Sequence, residues 1–232
     1  LYGMEESSLI LYNIAYCNFK EEDYATAAKW FSEYLSSKTP RYRKEAFLRY
    51  GDCMFMLEKY ADAVGAYESV MNGYPDPDDL YACYQAGISY GLAGDNAKKI
   101  RVLSAVKETS PDAALYDETM FELGRSYVKA GDDESAVRCF DILAAGAKDS
   151  TFMARSYIEL GMIYRNRSDN AKALQCYRKV VEDMPAGEYA ESALLAIESI
   201  YKAENTPEEY LAYIESIGKS SLKSEDEKEM MI

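Results

Sequence analysis

The sequence predicts an all-α protein, an α-α superhelix or solenoid of about six helical hairpins, and three observations support this prediction. Glycine recurs within helix-like sequence at intervals of 36, 37 and 37 residues, at Gly51, Gly87, Gly124 and Gly161. A glycine inside a helix costs about 1 kcal/mol relative to alanine, so a series in register indicates close helix packing. Large apolar side chains follow sixteen residues after each glycine, at Tyr67, Leu103, Phe140 and Tyr177. Prolines, which are tolerated only in a first helical turn, fall between the repeats at Pro40, Pro75, Pro111 and Pro185.

Each repeat is predicted to hold two helices joined by a short polar turn. The predicted pairs span 8–20 with 23–37, 41–57 with 60–73, 78–93 with 95–109, 113–130 with 132–145, 150–166 with 169–183, and 187–204 with 207–217. In the third and fourth turns, Gly94 and Gly131 supply a left-handed helix stop, and an aspartate follows each as the next N-cap. No segment is predicted to be a strand.

The repeats are predicted to form a single domain, because stacked repeats share one elongated core. The array covers residues 1–217, with repeats at about 8–40, 41–77, 78–112, 113–149, 150–186 and 187–217. Residues 218–232 are polar and charged without a sustained apolar period, so we expect a frayed helix or a disordered tail there.

The charge balance argues against several kinds of partner. The chain has 26 basic and 40 acidic residues, and its formal charge of −14 repels nucleic acid phosphates and anionic lipids. No apolar run approaches the ~18 residues that cross a bilayer. We therefore expect neither nucleic acid binding nor direct insertion into a membrane.

The five cysteines are predicted to be free thiols. Cys17 and Cys53 occupy equivalent positions in neighbouring repeats, and so do Cys139 and Cys176. Equivalent positions in stacked repeats lie roughly 8–10 Å apart, beyond the ~7 Å limit on the Cα separation of a disulfide.

Catalytic and metal-binding signals are poor. The chain contains no histidine, the commonest general base and metal ligand. The segments 104–107 and 168–170 match two motifs of penicillin-recognising serine enzymes, but the third motif is missing, and we interpret the match as chance. The acidic cluster at Asp76, Asp78 and Asp79 lacks the glycine and terminal glutamate of a calcium loop. We expect no enzyme activity, no cofactor and no bound metal.

The repeat pattern resembles the tetratricopeptide repeat, a helical hairpin with a small residue in its first helix, alanine and an aromatic in its second, and a terminal proline. The fifth repeat matches each landmark, with Tyr157, Leu160, Gly161, Tyr164, Ala173, Tyr177, Val180 and Pro185. Lys99 occupies the position at which the second helix of the pattern has a small residue. The junction at the third repeat is therefore predicted to be the softest in the array. Glu198 and Tyr210 replace the small residues of repeat six, which resembles a degenerate cap.

The resemblance implies a function, because first helices of this family line a concave groove that binds a peptide segment of a partner protein. When the groove positions of the family are transferred to this sequence, they predict a partner-binding face. Its residues are Tyr12, Tyr16, Leu48, Asp52, Tyr81, Tyr84, Ile88, Phe121, Arg125, Ile158, Met162 and Arg165. Tyrosine, methionine and arginine are enriched at protein interfaces, and we expect Arg125 and Arg165 to contact partner carboxylates. Packing or simple exposure is the alternative for each of these tyrosines. A small-molecule ligand is not expected.

The spacing of 36 to 37 residues exceeds the usual 34 and is similar to that of bacterial cell-envelope tetratricopeptide proteins, such as the Tol-system coordinator and outer-membrane assembly lipoproteins. The resemblance favours a non-catalytic scaffold in a periplasmic or envelope complex. The alternatives are a cytoplasmic location, a regulatory repeat region of a larger protein, and self-association.

Overall fold

The computed structural model describes residues 2–37, 41–76 and 79–218, and this part of the chain contains twelve α-helices and no strand. They are α1 (Tyr2–Lys20), α2 (Tyr24–Leu35), α3 (Arg43–Met56), α4 (Tyr60–Gly73), α5 (Tyr81–Leu92), α6 (Asn96–Leu103), α7 (Tyr116–Ala130), α8 (Asp133–Gly146), α9 (Ser150–Asn166), α10 (Asn170–Asp183), α11 (Ala190–Ala203) and α12 (Pro207–Ser216). The prediction of an all-α fold is confirmed.

The helices belong to two compact units, Leu1–Asp132 and Asp133–Ile232. Within the first unit each helix from α1 to α7 packs against the next one in the chain, and within the second unit the same holds from α8 to α12. Both units therefore consist of stacked hairpins. The assignment of all repeats to one domain stays a prediction, and the predicted tail at 219–232 lies outside the described residues.

The predicted helix boundaries differ from the structure in two informative places. Helix α1 begins at Tyr2, six residues before its predicted start. Helix α6 ends at Leu103, and the chain continues as a 3₁₀ helix over Ser104–Glu108 rather than as α-helix to 109. Pro111 restricts only Ser110, the residue before it, so the change to 3₁₀ at Ser104 has no explanation in that proline.

The six hairpin turns share one backbone conformation. One residue in each has a positive φ between 58° and 82°, and these residues are Glu22, Glu58, Gly94, Gly131, Ser168 and Asn205. The amide that follows bonds the carbonyl five residues earlier, as in Asp95 N to Tyr90 O at 2.9 Å, which defines a Schellman ending. The predicted left-handed stops at Gly94 and Gly131 are confirmed. Asp95 also accepts a bond from Lys98 N at 3.0 Å, as expected of an N-cap.

Two landmark glycines lie directly against tyrosine rings. A Cβ atom at Gly51 would stand 2.7 Å from Cε1 of Tyr67, and one at Gly161 would stand 2.5 Å from Cε1 of Tyr177. Both tyrosines belong to the second helix of the same hairpin and are fully buried. The glycines are thus required by close helix packing, as the sequence pattern predicts.

None of the five cysteines forms a disulfide, so the prediction of thiols is confirmed. Cys17 is exposed on α1, and the other four are buried. Burial raises the pKa of Cys83 to about 12, and burial with nearby Asp141 raises that of Cys176 to about 11. These two thiols carry almost no thiolate at neutral pH.

Titration of the folded protein with a thiol-specific disulfide reagent near pH 8 should therefore show one fast equivalent, from Cys17. The remaining four equivalents should appear only at the rate of unfolding, because the thiolate is the reacting species and burial also blocks access. Cys17→Ser should abolish the fast phase and leave the slow one intact. Two or more fast equivalents in the wild-type protein would contradict this assignment.

Candidate protein-binding grooves

The first groove, here called the Arg49 groove, lies within the first unit and has a volume of about 270 Å³. It draws residues from three successive hairpins: Phe19, Tyr24, Arg49, Asp52, Phe55, Met56, Tyr67, Tyr81 and Gln85. Most of these side chains are aromatic, and Met56 at the rim is 55% exposed. The lining therefore offers apolar contact area to a side chain from outside.

Arg49 lies between two aromatic rings. Its guanidinium carbon stands 5.6 Å from the ring centre of Phe19 and 5.9 Å from that of Tyr81, both within cation–π range. The same group donates to Glu45 Oε1 at 2.7 Å and to Asp52 Oδ2 at 2.6 Å. Although burial opposes the charged form, the bond to Glu45 and the charge of Asp52 raise the pKa of Arg49. Its charge is thus neutralised inside the protein.

Asp52 connects three helices. Its Oδ1 accepts hydrogen bonds from the hydroxyls of Tyr67 and Tyr81, each at 2.8 Å, while its Oδ2 accepts from Arg49. Burial, followed by the charge of Asp52, raises the pKa of Tyr81 to about 12 and that of Tyr67 further still. Asp52 is predicted to contact a partner; its carboxylate is buried and already accepts three bonds, and a partner contact stays a prediction. The carboxylate holds the groove together.

A second groove, the Arg125 groove, lies in the same unit between α5, α6 and α7 and encloses about 320 Å³. Lys99 Nζ contacts Glu122 Oε2 at 2.6 Å, with both side chains largely buried, and the stem of Lys99 passes beside Gly91. Arg125 extends further out, 3.5 Å from Glu122 and with its side chain 55% exposed. Lys99 therefore fills the space that alanine occupies in other repeats and ties α6 to α7.

Three sequence models of the tetratricopeptide repeat match the chain, at residues 45–77, 119–154 and 154–182. The matches coincide with α3 and α4, with α7 and α8, and with α9 and α10. The chain is a tetratricopeptide repeat protein. No curated protein matches it.

Solved structures are similar to this tetratricopeptide repeat protein in fold. A tetratricopeptide repeat protein from Parabacteroides merdae ATCC 43184 has a TM-score of 0.66 at 15% identity, covering 94% of this chain and 82% of its own. YrrB, described as having an unusual peptide-binding site, has a TM-score of 0.61 at 18% identity. The match covers 79% of this chain and 89% of YrrB. PilW, described as a type IV pilus biogenesis factor, has a TM-score of 0.55 at 17% identity. The match covers 97% of this chain and 99% of PilW.

Membership of the family settles the general class of function. Tetratricopeptide repeats bind proteins or peptides and are generally not catalytic, so the protein is an interaction scaffold. In the described part of the chain, no helix is long and apolar enough to cross a membrane. Within the same residues, no group of cysteine, aspartate and glutamate side chains could hold a metal ion.

Two further predicted partner contacts of this tetratricopeptide repeat protein have buried side chains, and their role in binding stays a prediction. Leu48 is 7% exposed and Phe121 is 2% exposed. Both lie on first helices, but their side chains turn into the hairpin core. We expect substitution of Phe121 to destabilise the fold rather than to weaken binding alone.

The remaining predicted residues of the first unit are half-buried or exposed: Tyr12, Tyr16, Tyr81, Tyr84, Ile88 and Arg125. Tyr12 packs among aromatic rings, with centroid distances of 5.3 Å to Tyr34 and 5.1 Å to Tyr42. Burial and the charge of Glu45 raise its pKa to about 12. Tyr12 therefore contributes mainly to packing of the first hairpin, while Tyr81 and Ile88 line the two grooves.

The second unit holds the other three predicted residues, all on α9. Met162 is 42% exposed, Ile158 is half-buried, and Arg165 is exposed and donates to Ser199 Oγ at 2.9 Å. Ile158, Met162 and Arg165 follow the 3.6-residue period of one helix face. Their role in binding stays a prediction.

Sequence reasoning missed the aromatic walls of the Arg49 groove. Phe19 and Phe55 stand four residues after the landmark positions Ala15 and Gly51, at the end of a first helix. An aromatic residue repeated at that position in neighbouring repeats was a usable signal. Arg49 could not be recognised in the same way, because its two ring contacts come from different hairpins.

Proposed function

We propose that the protein binds a segment of a partner protein along its first helices, with an apolar side chain of that segment seated in the Arg49 groove. The observation that carries this proposal is the pairing of every charge at the groove floor. Arg49 is neutralised by Glu45 and Asp52, and Asp52 also accepts hydrogen bonds from two tyrosine hydroxyls. A partner carboxylate would find no open cation there, whereas an apolar group would gain contact with aromatic rings.

The proposal assigns acidic residues of the partner to the exposed arginines. Arg125 extends from the Arg125 groove beside Leu92, which is 54% exposed. Arginine at an interface binds carboxylates in a bidentate geometry, and an adjacent apolar surface excludes water from that contact. Arg165, which is exposed on α9, is the arginine assigned to this role in the second unit. The segment favoured by this chemistry is apolar with acidic flanks.

Random peptides displayed on phage and selected against the purified protein test this proposal. Enriched peptides should share an aromatic or aliphatic residue accompanied by an acidic one. In fluorescence anisotropy titrations of an enriched peptide, Met56→Ala should raise the Kd about tenfold, since a buried interface anchor is worth more than 1 kcal/mol. Met56 is exposed in the free protein, so its truncation should leave the melting temperature unchanged.

Ile142→Ala is the matched control, because Ile142 is 49% exposed on α8 and lies outside both grooves. Its Kd should change less than twofold. Failure to enrich any peptide, or an equal loss of peptide affinity in Met56→Ala and Ile142→Ala, would refute the assignment of the Arg49 groove.

We further propose that the partner belongs to a bacterial envelope assembly, with the cytoplasm as the alternative location. The repeat spacing of 36 to 37 residues, similar to that of envelope tetratricopeptide proteins, supports this proposal. Fractionation of the native cells tests it directly. Recovery of the protein with the cytosol, and absence from periplasmic extracts, would contradict an envelope role.

A further inference from the structure

The two grooves of the first unit are formed by the same positions of successive repeats. The landmark glycines Gly51, Gly87 and Gly124 set the register. Each groove takes the residues one and five after one landmark glycine, and the residue two before the next. These residues are Asp52, Met56 and Gln85 in the Arg49 groove, and Ile88, Leu92 and Glu122 in the Arg125 groove. The grooves are therefore copies of one feature, placed one repeat apart.

The two grooves differ in charge. In the Arg49 groove, neighbouring carboxylates neutralise the charge of Arg49. The described lining of the Arg125 groove contains one carboxylate, that of Glu122, and three cations, which are Lys99, Arg125 and Lys129. Both Arg125 and Lys129 are exposed. An acidic group of a partner is therefore favoured at the Arg125 groove, and an apolar group at the Arg49 groove.

The repeat geometry sets the distance between these two sites. Equivalent positions of stacked repeats lie roughly 8–10 Å apart. The hydroxyl of Tyr81 on α5 donates to Asp52 on α3 at 2.8 Å, so the two first helices are neighbours. In a polyproline II segment, residues three apart face the same side and lie about 9 Å apart. In a β-strand, residues three apart face opposite sides, and in an α-helix the same distance takes about seven residues.

Gln85 favours the polyproline II segment over the helix. It lies on α5, which separates the two grooves, and its half-buried side chain bonds Tyr81. A glutamine amide has two N–H donors and an acceptor oxygen, and the bond to Tyr81 uses one donor. The backbone of a polyproline II segment has no internal hydrogen bonds, whereas that of a helix is already paired. The amide of Gln85 therefore has groups to offer to an extended backbone.

We propose that the partner segment advances three residues for each repeat. An apolar residue seated in the Arg49 groove is then separated by two residues from an acidic residue that contacts Arg125. This proposal rests on the function proposed above and adds the spacing between the two anchors. The recognised motif is an apolar and an acidic residue three positions apart.

A phage library of random sixteen-residue peptides, with one phenylalanine fixed at the eighth position, tests this spacing. After selection on the purified full chain, aspartate and glutamate should be enriched about threefold at one of the two positions three residues from the phenylalanine. Selection on Arg125→Gln should still yield peptides but remove this preference. Arg101→Gln is the matched control, because Arg101 is 68% exposed on α6 and lines neither groove. It should leave the preference unchanged.

A double-mutant cycle on one enriched peptide gives a second readout. The acidic residue of the peptide is changed to its amide, and fluorescence anisotropy measures the Kd of both peptides. This change should raise the Kd about threefold with the wild-type chain, as for an exposed ion pair, and should have no effect with Arg125→Gln. Circular dichroism should show an unchanged fold, because the side chain of Arg125 is 55% exposed.

Acidic residues enriched seven positions from the phenylalanine would indicate a helix and overturn the three-residue spacing. Absence of any preferred position would overturn it too, although weaker binding by Met56→Ala would leave the function of the Arg49 groove standing. Persistence of the preference in Arg125→Gln, or its equal loss in Arg101→Gln, would overturn the contact with Arg125. If no peptide binds the wild-type chain, the proposed function fails and the spacing with it.

Discussion

Two glycine substitutions in one hairpin should change stability in opposite directions. Gly51→Ala should lower the free energy of unfolding by about 1–3 kcal/mol, because the new methyl group would stand 2.7 Å from the buried ring of Tyr67. The ring is rigid and enclosed, so relief requires movement of α3 away from α4. Gly65→Ala should raise the free energy of unfolding by about 0.5–1 kcal/mol, since an added Cβ would meet no atom within 4 Å beyond its own stretch of helix.

Urea denaturation followed by circular dichroism measures both effects on one scale. Because the substitutions are identical and both sites are helical, the intrinsic gain in helix propensity is the same for each. The difference between the two variants therefore reports the steric cost at Gly51 alone. Stabilisation by Gly51→Ala would show that the glycine period has a cause other than packing against Tyr67.

Removal of the Asp52 carboxylate should have the largest effect of any single polar substitution in the first unit. Asp52→Ala should destabilise the protein by about 3–5 kcal/mol, because it leaves Arg49 half-buried without one partner and the hydroxyl of Tyr67 buried without an acceptor. Asp52→Asn keeps an acceptor oxygen and should cost less. Glu33→Ala, at an exposed position of α2, is the control and should stay within about 0.5 kcal/mol.

Alkaline pH gives an independent readout of the same network. The pKa of Tyr81 in the folded protein is raised to about 12 from 10, first by burial and then by the charge of Asp52. The contribution of Tyr81 to the free energy of unfolding is therefore fully present below pH 10, and it is lost as pH rises through about 12. Asp52→Ala should reduce that loss, because one of its causes is gone. An unchanged alkaline profile would mean that Asp52 does not act on these tyrosines.

The fold could be predicted from the sequence because its packing landmarks recur. Gly51 and Gly161 each lie against the tyrosine sixteen residues later, so the same packing contact occurs twice with the same sequence spacing. Helix ends were less predictable where local chemistry departs from the repeat. Neither the change to a 3₁₀ helix after Leu103 nor the early start of α1 follows the repeat pattern.

The candidate site was predicted only in part, because it depends on contacts between repeats. Asp52 resembles a groove residue by its register, yet its hydroxyl partner on Tyr81 lies 29 residues away in the next hairpin. Phe121 occupies a first helix like its neighbours, but its side chain is buried. A repeat register gives the helix and the approximate face of a residue. Whether a side chain reaches solvent depends on the size of the side chains that adjacent hairpins place beside it.

The shared left-handed turn makes the hairpins interchangeable units. The positive-φ residue returns every 36 or 37 positions even where it is glutamate, serine or asparagine rather than glycine. Each hairpin therefore enters and leaves its turn along the same backbone path, whatever side chains it carries. Duplication of the segment between two successive turns, such as residues 59–94 between Glu58 and Gly94, would rejoin the chain with the turn backbone in register. Such a chain can change its length, and with it the reach of its binding surface, by recombination alone.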